Sequence, residues 1–215
     1  MCPKLNQQAV NSYHEWYADN VGRAITYLGT PIMKNVCDLW NYQQVIYRLW
    51  PSLVIEFGTA HGGSALWFAD LMQRVNPVGL VYSVDIADVP DGPVKRHSLV
   101  RLEKSDSVAP AMLGNLLALR TEYPGPVFAI LDSDHKKGHV LAEMELLRSV
   151  LRPGDYLVIE DSCINGHPIY KGWGEGPFEA IEEYERRYPY DFDHDRTTEQ
   201  RFGFTFATNG YLVRR

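Results

Sequence analysis

Leu53-Val54-Ile55-Glu56-Phe57-Gly58-Thr59-Ala60-His61-Gly62-Gly63-Ser64 is the stretch on which the fold turns. A short apolar run enters a glycine-rich turn, and residues 63–75 then carry apolar side chains at helical spacing, which predicts a buried strand feeding a helix. The alternation continues beyond it. Strand-like runs fall at 53–57, 80–84, 99–102, 127–131 and 156–159, with amphipathic stretches at 63–75, 107–122, 138–151 and 176–188. Such an order predicts an α/β, Rossmann-like fold: a mostly parallel sheet covered on both faces and joined by right-handed crossovers. Near the end, residues 201–206 and 211–213 flank Asn209-Gly210, a pair suited to a tight turn because both residues accept positive φ. A C-terminal antiparallel hairpin is therefore expected.

The 215 residues are 45% hydrophobic, 12% aromatic and 22% charged, proportions that suit one globular domain with a full core. A single domain spanning 1–215 is expected, with residues 1–50 as a helical, aromatic-rich extension and 51–215 as the core. Within the extension, 38–49 reads as a helix stopped by Pro51, and its aromatic stripe is ordinarily core or subunit interface. No apolar run approaches the ~20 residues that span a bilayer. The first residues lack a secretory pattern, so a cytoplasmic protein without a membrane partner is expected. Cys2, Cys37 and Cys163 have no CxxC spacing and read as free thiols. A net charge of -6 has the wrong sign for a nucleic-acid partner.

Ligands of doubly wound folds sit beyond the carboxyl ends of the strands. In the first such turn Ala60 stands where GxGxxG requires its second glycine, and no GK[ST] follows, so neither a pyrophosphate loop nor a P-loop fits. The turn suits a nucleoside without phosphates. Asp85, 22 residues beyond Gly63, is placed for ribose hydroxyls, and Asp106 after the third strand for an adenine amino group. Glu56 or a loop amide would meet the amino-acid end of the ligand this order suggests, S-adenosylmethionine. His61 reads as a loop-orienting residue.

The fourth strand ends in Leu131-Asp132-Ser133-Asp134-His135 and the fifth in Ile159-Glu160-Asp161. Neighbouring strands run about 4.8 Å apart, so these acids converge and repel unless protonated or bridged by a cation. An all-oxygen set favours Mg2+, or Mn2+ or Ca2+, over zinc. The alternative is that the acids cap helices and face water. His135 and Lys136 are candidate proton acceptors.

Gly58-Thr59-Ala60-His61-Gly62-Gly63-Ser64-Ala65-Leu66, Ile130-Leu131-Asp132-Ser133-Asp134-His135, Glu160-Asp161, Asn165-Gly166-His167-Pro168, Trp173-Gly174 and Gly176-Pro177 together resemble the cephalosporin hydroxylase family. Despite that name, the family consists of metal-dependent O-methyltransferases of antibiotics and sugars, including rhamnosyl O-methylation. The resemblance takes in Leu28-Gly29-Thr30-Pro31-Ile32 and Asp38-Leu39-Trp40 and covers most of the chain from about residue 27. It implies a seven-stranded methyltransferase fold, S-adenosylmethionine on Gly58, Thr59, Ala60, Gly62, Ser64 and Asp85, and Mg2+ on Asp134, Glu160 and Asp161. It also implies a homo-oligomer. The chain departs from the family pattern at 87–97 and at Lys104-Ser105-Asp106, which weakens the adenine assignment of Asp106.

The resulting expectation is an S-adenosylmethionine- and Mg2+-dependent O-methyltransferase of a small natural product or sugar. Asp134 and His135 are its expected catalytic residues, and Asp132 helps to orient Asp134 or contacts a ligand. A true iron hydroxylase would need a two-His-one-carboxylate triad, which the acid-only cluster opposes. A non-catalytic S-adenosylmethionine-binding partner protein would keep the glycine loop but could lose the metal acids, all of which are present.

Overall fold

The computed structural model describes residues 5–215 and opens on helix α1 (Gln7–Tyr17), whose first turn is capped by the Asn6 side chain. Cys2 lies outside the described residues; Cys37 and Cys163 are free thiols, the latter buried. After a π-helical turn (Ala18–Gly22), β1 (Thr26–Tyr27) and β2 (Thr30–Pro31) form a small antiparallel ribbon leading to α2 (Val36–Leu49). Asn35 accepts from the Cys37 amide at the start of α2, so the helix begins two residues before the expected 38.

The core follows as β3 (Leu53–Phe57), α3 (Gly63–Val75), β4 (Leu80–Asp85), β5 (Val100–Lys104), α4 (Met112–Glu122), β6 (Val127–Leu131), α5 (Lys137–Arg148), β7 (Tyr156–Ile159) and α6 (Pro177–Arg187). Then come β8 (Phe192–His194), α7 (Arg196–Glu199) and β9 (Tyr211–Arg214). The seven strands lie in the order β5-β4-β3-β6-β7-β9-β8, parallel except for β9, which is antiparallel to both neighbours. The expected seven-stranded, mostly parallel sheet is therefore present.

Alternation along the strands builds two cores. Leu53, Ile55 and Phe57 of β3 face α4, α5 and α6 with Leu116, Met144 and Ile181, whereas Val54 faces α2 and α3 with Tyr42, Phe68 and Met72. Successive strands are added on one side of β3 up to β5 and on the other side from β6, so the crevice past the carboxyl ends of β3 and β6 is where this topology places a ligand.

The antiparallel end differs in detail from the expected hairpin. The partner of β9 is β8, and residues 201–206 form no strand. Their hydrogen bonds go elsewhere: the buried Asp38 carboxylate accepts from Thr205 Oγ1 at 2.6 Å and from the Phe206 amide at 2.8 Å. Asn209 does adopt positive φ, but the turn leads from this anchored segment into β9 rather than joining two strands. Phe204 and Phe206 pack on α1, against Tyr13, His14 and Tyr17.

Candidate active site

Backbone hydrogen bonds hold the strand ends together: Gly58 donates to Val84, Asp132 to Phe57 and Glu160 to Leu131, each at 2.8–2.9 Å. Gly58 has φ +98°, and a Cβ there would lie 2.0 Å from the Asp132 carbonyl oxygen. Only glycine lets the β3 turn pass this close to β6. The cleft above these ends has a volume of about 710 Å³, within the usual range for a small-molecule site.

One half of the cleft is polar. Gly58 and Ala60 line it beside Asp85, Ser105, Asp106 and Ser107. The Asp85 carboxylate accepts from the amides of Ala60 and Ala87, each at 2.8 Å, so it shapes the loop it was expected to complement. Asp106 accepts from the Val108 amide at 3.0 Å. Fully buried Glu143, unremarked in the sequence, joins two of these loops by accepting from Ser107 and Ser133 hydroxyls, each at 2.5 Å. Several expected contacts lie beneath the surface. Thr59 shares a 2.6 Å hydrogen bond with Ser83, whose hydroxyl bonds Glu56 at 2.5 Å. Glu56, Thr59, Gly62 and Ser64 are buried, and Glu56 does not line the cleft. Burial raises the Glu56 pKa to about 7 against the opposing pull of Lys34.

At the junction with the other half, Asp132, His135 and Asp161 each present a donor atom within 4.8 Å of the others. His135 Nε2 is 3.4 Å from Asp132 and 3.2 Å from Asp161. Burial opposes the imidazolium, but the adjacent Asp132 and Asp161 carboxylates outweigh it and raise its pKa to about 9. Burial also raises Asp161, against the attraction of His135.

The acid set expected for a metal is only partly assembled. Asp134 lines the cleft but pairs with Lys136 at 3.3 Å, outside the group. Glu160 is 2% exposed, with its Oε1 accepting from the Tyr42 hydroxyl at 2.7 Å and lying 3.2 Å from Lys34 Nζ. The same ammonium contacts Asp132. Lys34 is 1% exposed and was not singled out by any sequence signal. Burial alone would depress its pKa, but Asp132, Glu160 and Glu56 hold it well above the ordinary lysine value.

The second half of the cleft is apolar and aromatic. Met33, Ile164, Ile169, Tyr170, Trp173 and Phe206 line it, with Arg23 at its edge. The Tyr170 hydroxyl donates to Asp19, tying the 161–176 loop to the N-terminal segment.

A glycine loop, an acid-lined junction and an apolar pocket share one cleft past the strand ends of a doubly wound sheet, and comparison with known proteins gives the family. The model of the rhamnosyl O-methyltransferase/CmcI family matches residues 19–215. The chain belongs to that family of methyltransferases. A rhamnosyl O-methyltransferase of Mycobacterium leprae (strain TN) is 50% identical over 204 residues, covering 94% of this chain and 89% of that protein. The Mycobacterium tuberculosis (strain H37Rv) protein of the same name is also 50% identical, with 94% and 83% covered. Among solved structures, CmcI with Mg and S-adenosylmethionine superposes with TM-score 0.68 at 19% identity, covering 90% of this chain and 77% of that one. An O-methyltransferase from Bacillus cereus in complex with S-adenosylhomocysteine gives TM-score 0.54 at 15% identity, covering 100% and 93%. At these identities the superpositions bear on the fold.

Proposed function

We propose that this chain transfers the methyl group of S-adenosylmethionine to a hydroxyl of a sugar-bearing small molecule, assisted by Mg2+ or a similar divalent cation. The observation that carries this reading is the position of Asp132, His135 and Asp161 between the glycine loop and the apolar half of one continuous cleft. The name of the mycobacterial relatives supports a rhamnosyl acceptor. A homo-oligomer, implied by the family resemblance, belongs to the same proposal and is tested by sedimentation.

The donor is already activated by its sulfonium charge, so the protein's task is to align, to exclude water and to accept a proton. The S–CH3 bond breaks as the O–CH3 bond forms, the bond pair returns to sulfur, and the hydroxyl proton leaves to a base. In this reading Gly58, Ala60 and Asp85 hold the nucleoside, Tyr170 and Trp173 flank the acceptor, and Asp132 and Asp161 face the reacting hydroxyl. The carboxylate oxygens of Asp132 and Asp161 would hold a hard divalent cation beside His135. When bound, such a cation lowers the acceptor hydroxyl pKa. His135 is the proposed base; near pH 7 its proton must first be displaced, because its two acids hold it charged.

The deciding experiment incubates the protein with labelled S-adenosylmethionine, Mg2+ and methyl rhamnoside, or an extract containing rhamnosylated acceptors, and follows the label by mass spectrometry. Gain of one methyl group on a sugar hydroxyl is expected. Transfer to nitrogen or carbon acceptors alone would refute the reading.

A further inference from the structure

The segment between β2 and α2 delivers one cation into the acids beneath the cleft. Pro31 lies so close to the start of α3 that a Cβ on Gly63 would stand 2.2 Å from its carbonyl oxygen, and Met33 is held at positive φ. Asn35 is fixed by its cap on α2. Between these anchors Lys34 points inward to contact Asp132 and, at 3.2 Å, Glu160. It does not line the cleft, although Met33 does. Enclosed at 1% exposure, it can act on the cleft through the acids it contacts.

A buried ammonium without partners costs several kcal/mol, and so does each carboxylate around it. One lysine among Glu56, Asp132 and Glu160 compensates part of that charge, and of these three acids Asp132 lines the cleft. The contacts also fix direction: Glu160 is held on both Lys34 and Tyr42, and Asp132 is held on Lys34 while it faces His135.

We propose that Lys34 is a positioning residue for methyl transfer, a built-in cation that fixes Asp132 and Glu160 so that the cluster presents a set charge and geometry to the divalent ion. This inference rests on the function proposed above. Groups that orient metal-facing ligands typically change metal affinity or activity by 10–100-fold when removed.

The experiment compares wild type with Lys34→Met, which keeps the stem, Lys34→Gln, which keeps a donor, and Lys34→Arg, which keeps the charge. Calorimetry measures Mg2+ alone and S-adenosylhomocysteine alone, and turnover is measured on methyl rhamnoside. Lys34→Met should weaken Mg2+ binding and lower kcat, each by about 10–100-fold, while S-adenosylhomocysteine affinity stays within about threefold. Lys34→Arg should recover part of both losses. Unchanged Mg2+ affinity and kcat in Lys34→Met would overturn the role. Loss of S-adenosylhomocysteine binding with a collapsed melting temperature in all three variants would also overturn it, in favour of a purely structural lysine. A wild-type protein that binds S-adenosylhomocysteine but methylates no sugar would instead refute the methyltransferase reading, a result distinct from either.

Discussion

Asp85 accepts from two backbone amides, and one of these belongs to Ala60 in the glycine turn. Its carboxylate thus preorganises the loop. Asp85→Ala should weaken S-adenosylhomocysteine binding by about 1.5–3 kcal/mol, the usual worth of hydrogen bonds to a charged group, measured by calorimetry; an unchanged affinity would remove Asp85 from the site. His14 makes the opposite kind of prediction. It is 1% exposed, neither ring nitrogen has a partner among the described residues, and burial lowers its pKa from 6.5 to about 4. Between these values the unfolded chain binds the proton and the folded one does not. The proton-linked cost is therefore absent above pH 6.5, stability falls as pH drops through 6.5, and the loss levels off near pH 4 at about 3 kcal/mol. Denaturant titrations of His14→Phe should show a shallower decline over that window, and an identical decline would assign the acid sensitivity to other groups.

At the level of elements, the strands 53–57, 127–131 and 156–159 were legible to the residue because each is an apolar run buried on both faces. Residues 201–206 were misread because alternating phenylalanines carry a strand period, and the sequence holds no local sign that Asp38, more than 160 positions away, captures their backbone and hydroxyl groups. Lys34 was invisible for the same reason. A lysine between Met33 and Asn35 has no periodicity, and its partner Asp132 is 98 residues distant. Nor does sequence decide between Asp132 and Asp134, since the chain leaves the strand at this turn and side-chain direction is set by neighbours rather than by pleat. The anchored segment has a measurable energy. Phe206 is buried, stacked on His14 and packed edge-on against Tyr17. Phe206→Ala should cost about 3–5 kcal/mol in urea unfolding, and a cost under about 1 kcal/mol would show that α1 docks without it.

At the scale of the whole molecule, the fold places the two parts of the cleft on different strand ends of one sheet. The half proposed for the nucleoside rests on β3, β4 and β5 through Gly58, Ala60, Asp85 and Asp106, whereas the acids rest on β6 and β7 through Asp132 and Asp161. The two halves share few side chains, so they should separate experimentally. Chelation, or Asp161→Ala, should abolish methyl transfer while leaving S-adenosylhomocysteine affinity within a few-fold, and Mg2+ or Mn2+ should restore the chelated enzyme better than Zn2+. His135 sharpens the test, because its proton is held by the same two acids that would face the cation. Cation and proton then compete for one site. The cation concentration giving half-maximal activity should fall as pH rises towards 9, and a pH-independent requirement would place the ion away from Asp132, His135 and Asp161. Full activity after chelation would make these acids structural and leave deprotonation of the acceptor to a side-chain base alone.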